Sequence, residues 1–298
     1  MHYKTKESET AYLAAYKAAM KSWPVPWEEI EVSNRFGTTH VIASGPEEAP
    51  PLVLLHGFFT TLLLWAPNIA DFSKSYRVYA IDIMGNRNRS VPQETIGTSD
   101  DIVEWLRETL NELRLQNVYL AGMSFGGWLS INFALAEPER VRKLILISPA
   151  ASLLPLVKQF IPRAILSSLP PKKFWFYSFM GWMGLKRGPG HEFSQSLLDI
   201  MWLGGENIKM SAETMRVMPT VYSDEELGAL KMPVLLLIGE NEVIYNAAKA
   251  LARARLFIPD LTGELVPNCG HDISFSQNEI VDERVLTFLN ADLQDRKM

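Results

Sequence analysis

Cysteine is nearly absent from this chain: among 298 residues there is one, Cys269. An internal disulfide and a cysteine-rich metal site are both excluded by that count. Histidine is scarce too, with five residues, so few candidates exist for a general base. No stretch approaches the roughly 20 apolar residues needed to span a bilayer. Residues 1–21 are too polar and too charged to read as a secretory signal. There is no excess of positive charge: the net charge is −5 and no basic stripe carries interleaved aromatics, so nucleic acid has no electrostatic footprint. On the same net charge, anionic membrane surfaces are not favoured as partners. Internal repeats and low-complexity segments are lacking as well. The expectation is a soluble, cytoplasmic protein with no metal, no organic cofactor and no membrane span; association into a homo-oligomer stays open.

A composition of 47% hydrophobic and 21% charged residues is that of an ordinary globular protein. A chain of this length buries roughly three-quarters of its unfolded surface, enough for one large core or two smaller ones. Pro51-Leu52-Val53-Leu54-Leu55 is a continuous apolar run, the pattern of a strand covered on both faces. Similar runs recur at 77–81, 118–121, 144–147 and 234–238, with a weaker one at 263–266. Helix-like segments lie between several of them, notably 99–113, with Ser99 as N-cap, and 127–136. An alanine-rich amphipathic helix is expected over 7–21, and the extended segments 28–34 and 38–43 around Phe36-Gly37 read as a hairpin. Strands alternating with helices predict an α/β fold with a mainly parallel sheet, whose chemistry sits beyond the carboxyl ends of its strands.

The alternation breaks between Ser148 and Met232. That stretch carries Phe160, Phe174, Trp175, Phe176, Tyr177, Phe179, Met180, Trp182, Met183, Met201 and Trp202, punctuated by Pro170-Pro171 and Gly188-Pro189-Gly190. It reads as a helical cap over the carboxyl edge of the sheet, lining an apolar pocket. The expected organisation is a core formed by 1–148 and 232–298 with the cap at 149–231.

The most informative motif is Gly122-Met123-Ser124-Phe125-Gly126, placed between an apolar run and a helix-like stretch. A serine at so sharp a strand-to-helix turn has its hydroxyl pushed clear of the sheet, and the flanking glycines remove colliding side chains. A serine hydroxyl needs a base, and the base needs an orienting partner. His2 is terminal, His40 lies in the hairpin and His191 in the cap. His271, in the loop Pro267–Asp272 after the last strand-like run, projects from the same edge as Ser124. His56, at a strand end before Gly57-Phe58, suits a structural role in which the chain turns and the Phe58 N–H faces the pocket. Together with the Phe125 N–H it would form a two-donor oxyanion hole. For the acid, Glu240 and Glu242 both stand at the tip of the 234–238 strand; Glu242 is preferred. Asp82 ties down its own loop, Asp272 is poorly placed to reach its neighbour His271, and Cys269 is a small structural residue.

These residues resemble the α/β-hydrolase superfamily in its order of nucleophile, acid and histidine: His56-Gly57-Phe58, Asp82-Ile83-Met84-Gly85, the turn around Ser124, Gly239-Glu240-Asn241-Glu242 and Gly270-His271. The resemblance runs from about Trp27 to about Leu289. It implies an eight-stranded, mostly parallel sheet, a cap inserted after the sixth strand, and a Ser124–Glu242–His271 triad. Two departures stand out. The usual D-x-x-G-x-G-x-S stretch reads Asp82-Ile83-Met84-Gly85-Asn86-Arg87-Asn88-Arg89-Ser90, with the second glycine missing and one residue extra, and the acid is a glutamate.

The expected activity is hydrolysis of carboxylic esters of small to medium hydrophobic substrates through an acyl-enzyme on Ser124. A serine at the turn argues against haloalkane dehalogenases and epoxide hydrolases, which use aspartate there. Thioesterase, lactonase, amidase, cofactor-free haloperoxidase and acyltransferase chemistry would use the same groups. The alternative from another class is a ligand-binding protein that keeps the fold without turnover.

Overall fold

The computed structural model describes residues 2–167, 169, 172–186, 188 and 191–295. Chain order begins with helix α1 (Lys6–Ala19), strands β1 (Trp27–Asn34), β2 (Gly37–Ser44) and β3 (Pro51–Leu55), and helix α2 (Ala66–Phe72). Then come β4 (Arg77–Ile81), β5 (Val91–Pro92), α3 (Ser99–Glu112), β6 (Val118–Met123), α4 (Phe125–Ala136) and β7 (Val141–Ile147). Helices α5 (Phe160–Leu166), α6 (Lys172–Trp182), α7 (Glu192–Asn207) and α8 (Asp224–Gly228) precede β8 (Val234–Gly239). The chain ends with α9 (Ala247–Phe257), β9 (Leu261–Val266), α10 (Ile273–Ser276) and α11 (Asn278–Asp295).

The sheet order is β1-β2-β4-β3-β6-β7-β8-β9, with the two-residue β5 paired onto β2. The expected eight strands are those of the main path; β5 is a ninth, too short to leave a pattern in sequence. β1 and β2 form the antiparallel hairpin, registered Trp27↔Ser44 to Asn34↔Gly37, and β3, β4 and β6–β9 are parallel.

Strand alternation divides the core in two. Val53 and Leu55, Leu144 and Leu146, and Leu236 and Ile238 pack with α3, α4 and α9 on one face. Leu52 and Leu54, Ile145 and Ile147, and Leu235 and Leu237 pack with α1, α2, α7 and α11 on the other. Both faces are covered, which is why these strands read as unbroken apolar runs. Trp105 of α3 is fully buried and its Nε1–H donates to Thr39 Oγ1 at 2.8 Å, fixing the helix on β2. Truncating such a side chain to alanine typically costs about 3–5 kcal/mol.

The segment between β7 and β8, expected to form a helical cap, holds α5–α8 and contains no strand among its described residues. The expected breaks at Pro170-Pro171 and Pro189-Gly190 lie outside the described residues. The N-terminal segment is bonded to the end of α7, through Lys4 N–H to Asn207 O and Lys209 N–H to His2 O, both at 2.9 Å. One local expectation is corrected. Thr98, not Ser99, caps α3, because its hydroxyl accepts from Asp101 N–H while the Asp101 carboxylate returns to Thr98 N–H.

Candidate active site

The turn between β6 and α4 is as tight as its sequence suggests. Ser124 has φ +53° and ψ −114°, a conformation that non-glycine residues adopt only when the surroundings impose it. Two contacts impose it: Ser124 N–H donates to Ile147 O at 2.9 Å, and Ala150 N–H donates to Ser124 O at 3.0 Å. A Cβ on Gly122 would sit 2.2 Å from Gly126 O, and one on Gly126 would sit 2.2 Å from Leu55 O. Helix α4 starts at the next residue, so its first N–H groups open beside the Ser124 hydroxyl.

The loop after β9 brings His271 to this point. Its Nε2 lies 2.9 Å from Ser124 Oγ and its Nδ1 lies 2.9 Å from Glu242 Oε2. The loops carrying His271 and Glu242 are themselves joined, by Glu240 N–H to Val266 O at 2.8 Å and Asn241 N–H to Cys269 O at 2.9 Å. Gly239 permits this approach, since a Cβ there would fall 2.2 Å from Gly270 O. The Glu242 carboxyl is fully buried. Burial pushes its pKa up, but the facing His271 and the Ile244 N–H outweigh that and hold it below the ordinary carboxylate range. Glu242 Oε1 accepts from Val243 N–H at 2.8 Å and Ile244 N–H at 3.1 Å. Glu240, by contrast, is exposed.

Phe58 lies on the other side of the serine. A Cβ on Gly57 would be 3.6 Å from Ser124 Cβ, and the Phe58 and Phe125 rings are 5.0 Å apart. Neither the Phe58 nor the Phe125 N–H meets an acceptor among the described residues. The Gly57 carbonyl, on the same peptide as the Phe58 N–H, accepts from His56 Nδ1–H at 2.7 Å and Thr60 Oγ1–H at 2.9 Å. Because C=O and N–H point oppositely across a trans peptide, holding the carbonyl aims the Phe58 N–H away from it. His56 Nε2 accepts from Ile83 N–H at 2.9 Å. Burial lowers the pKa of this ring, so it stands as a neutral brace, not a base.

The atypical loop after β4 is fixed by side chains where glycine is missing. Asn86 Oδ1 accepts from Phe59 N–H at 3.1 Å, Asn88 Nδ2 donates to Ile83 O at 2.9 Å, and Ser90 Oγ donates to Asp82 O at 2.6 Å. Asp82 accepts from Leu62 N–H at 2.8 Å and from Tyr16 Oη and His40 Nδ1, each at 3.0 Å, so it ties three segments as well as its own loop. Asp272 faces Gly270 N–H at 3.1 Å, away from the imidazole. Burial pushes the Cys269 thiol up to about 12, which leaves it without thiolate at neutral pH.

Two buried hydroxyls near Glu242 were not anticipated. Ser148, at φ +41° on the tip of β7, and Tyr245 both lie close to the Glu242 carboxylate but outside hydrogen-bonding geometry. No charge or motif marks either in the sequence. Among the described residues, no three His, Cys, Asp or Glu side chains are arranged to hold a metal ion. No helix there is long and apolar enough to cross a membrane.

Comparison with known proteins agrees with this geometry. Residues 50–183 match the family described as alpha/beta hydrolase fold. The chain is 40% identical to the uncharacterized carboxylesterase nap of Bacillus subtilis, over 94% of this chain and 93% of that one. It is 36% identical to carboxylesterase YbfK of the same organism, over 97% of each. The crystal structure of naproxen esterase from Bacillus subtilis superposes with a TM-score of 0.86 at 37% identity, covering 96% of this chain and all of that one. The fold, the turn around Ser124 and near full-length identity at this level place the chain in the alpha/beta-hydrolase family, as a carboxylesterase-like member.

Proposed function

We propose that the protein hydrolyses carboxylic esters of small to medium hydrophobic substrates by acyl transfer through Ser124. The observation that carries the reading is the continuous line from Ser124 Oγ through His271 to Glu242, with both contacts at 2.9 Å. Ser124 Oγ attacks the ester carbonyl while its proton passes to His271 Nε2. The buried Glu242 carboxylate accepts the Nδ1–H, fixes the tautomer and stabilises the imidazolium. Negative charge on the former carbonyl oxygen falls between the N–H groups of Phe58 and Phe125. Collapse breaks the ester C–O bond, His271 gives its proton to the departing alkoxide, and an acyl-Ser124 ester remains. Water then attacks that ester with His271 again taking a proton, releasing the acid and restoring the hydroxyl. No metal or organic cofactor enters these steps.

The half-buried Phe58 ring near the serine and the aromatic-rich segment between β7 and β8 favour apolar acyl or alcohol groups. The named relatives, carboxylesterases of Bacillus subtilis, support the reaction class. The test is labelling by a fluorophosphonate together with release of p-nitrophenol from acyl esters of graded length. Wild-type protein should do both and Ser124→Ala neither; equal turnover by Ser124→Ala would remove the reading.

A further inference from the structure

The net charge of −5 conceals a segment of opposite character. Residues 151–191 contain no Asp or Glu, yet carry Lys158, Arg163, Lys172, Lys173, Lys186 and Arg187. In the structure, this segment forms α5 and α6. Helix α5 has the sequence Phe-Ile-Pro-Arg-Ala-Ile-Leu, and none of its residues is buried. Phe160 turns inward, its ring 5.5 Å from that of Phe179 and 6.4 Å from that of Trp182, and Arg163 lies over Trp182. The outward face is also apolar: Ile161 is 61% exposed, Ile165 58% and Leu169 48%, with Phe174 of α6 at 61%. Lys158, Lys172 and Lys173 are exposed around them. An open depression of about 460 Å³ lies on α6 between Lys173, Phe174, Tyr177 and Ser178.

We propose that this face of the cap, α5 with the start of α6, docks on an anionic lipid bilayer. A helix that packs one apolar face inward and leaves a second apolar face exposed lacks an apolar medium on its outer side. Isoleucine, leucine and phenylalanine side chains ringed by lysines suit the boundary between acyl chains and anionic headgroups. A second copy of this chain is a poorer occupant. A two-fold contact through this face would set the lysines of each protomer against those of the other, with no acid in the segment to receive them.

The face is coupled to the candidate centre. Val157 N–H, just ahead of α5, donates to Ile244 O at 2.8 Å, and Ile244 N–H donates to Glu242 Oε1 at 3.1 Å. On the esterase reading, docking would present bilayer-dissolved esters next to the reacting groups; the docking itself does not depend on that reading.

The test is co-sedimentation of the full chain with vesicles of equal phosphatidylglycerol and phosphatidylcholine, and with phosphatidylcholine alone. Binding to the anionic vesicles should be at least about tenfold stronger and should weaken in 0.5 M NaCl. Ile165→Ser/Phe174→Ser should reduce binding at least about tenfold, and Lys172→Gln/Lys173→Gln should erase most of the lipid preference. Both variants should keep the wild-type Tm and turnover of p-nitrophenyl acetate within about twofold, as changes at exposed positions do. Absence of sedimentation with anionic vesicles, or undiminished binding by Ile165→Ser/Phe174→Ser, would overturn the proposal. So would a dimer in analytical ultracentrifugation that this double variant dissociates, because the face would then belong to a second copy.

Discussion

His56 and Gly57 are neighbours in sequence and are also bonded side chain to main chain, with Nδ1–H donating to the glycine carbonyl over 2.7 Å. The bond acts one peptide further along, because a fixed Gly57 carbonyl fixes the direction of the Phe58 N–H. If the Phe58 N–H is the oxyanion donor proposed above, His56→Leu should lower kcat about 10- to 100-fold, somewhat less than outright loss of such a donor. KM should move less than about threefold, because the ground-state ester makes little use of that donor. His56→Asn, whose amide can donate from nearly the same place, should recover part of the loss. Steady-state kinetics beside thermal unfolding separate the two readings: a merely structural histidine would lower Tm and leave the kcat of the folded fraction intact.

Glu242 and Glu240 stand two residues apart on one loop and differ in everything that matters for an orienting acid. One is buried against His271 Nδ1 and accepts two backbone N–H groups; the other is exposed, and its backbone N–H donates to Val266 O. Glu242→Gln should cost roughly 10²- to 10⁴-fold in kcat, since an amide can donate to Nδ1 and favour the wrong tautomer. Glu240→Gln should stay within about twofold of wild type. A larger loss in the second variant would reverse the assignment of the acid.

Much of this arrangement is legible before any coordinates, and the reason is physical. Strands covered on both faces must be apolar throughout, so β3, β4, β7 and β8 announce themselves, and chemistry-bearing side chains at their tips stand out. Ser124, Glu242 and His271 are visible because polar residues directly after such strands are conspicuous. What stays hidden depends on neighbours distant in sequence. Strand β5 is two residues long and owes its state to pairing with β2. Asn86 and Asn88 look like departures from a glycine pattern until Phe59 and Ile83 are seen to be their partners. Ser148 and Tyr245 approach Glu242 from different loops. The net charge, averaged over the whole chain, masked the acid-free segment of the cap.

Gly126 has no room for a side chain. A Cβ there would sit 2.2 Å from Leu55 O and 2.7 Å from His56 O, backbone atoms of the end of β3 and of the residue that leads into the Phe58 loop. Gly126→Ala should destabilise the fold by about 1–3 kcal/mol or more, because neither strand nor helix can shift freely. Residual folded protein should also lose activity, because relief of the clash displaces Phe58 relative to Ser124. Gly181→Ala is the control, since nothing lies within 4 Å of the added methyl. Its stability should match or slightly exceed wild type, as expected for a glycine replaced inside a helix. Urea denaturation of the three proteins decides; equal midpoints for Gly126→Ala and wild type would show that the β6–α4 turn tolerates a side chain.

Asp282 of α11 makes stability depend on pH close to neutrality. It is 2% exposed, its Oδ1 accepts from Asn68 Nδ2 at 2.7 Å, and its Oδ2 and the Asn68 Oδ1 are buried without partners. Burial pushes its pKa up to about 7; Asn68 opposes this, Asp71 adds to it and Lys74 lowers it. In the unfolded chain the group titrates near 3.9. Between about pH 4 and about pH 7 the folded state therefore holds a proton that the unfolded state releases. Stability should fall as pH rises through this window, by at most about 1.4 kcal/mol per unit, and level off above it. Asp282→Asn carries no ionisable group and should lose that slope, so its advantage over wild type should grow from pH 5 to pH 7 and then stay constant. The amide of Asn68 also donates to Ser274 O at 2.9 Å, three residues beyond His271. Urea unfolding of both proteins at pH 5, 6, 7 and 8 gives the difference directly, and parallel stability curves across that range would refute a protonated Asp282.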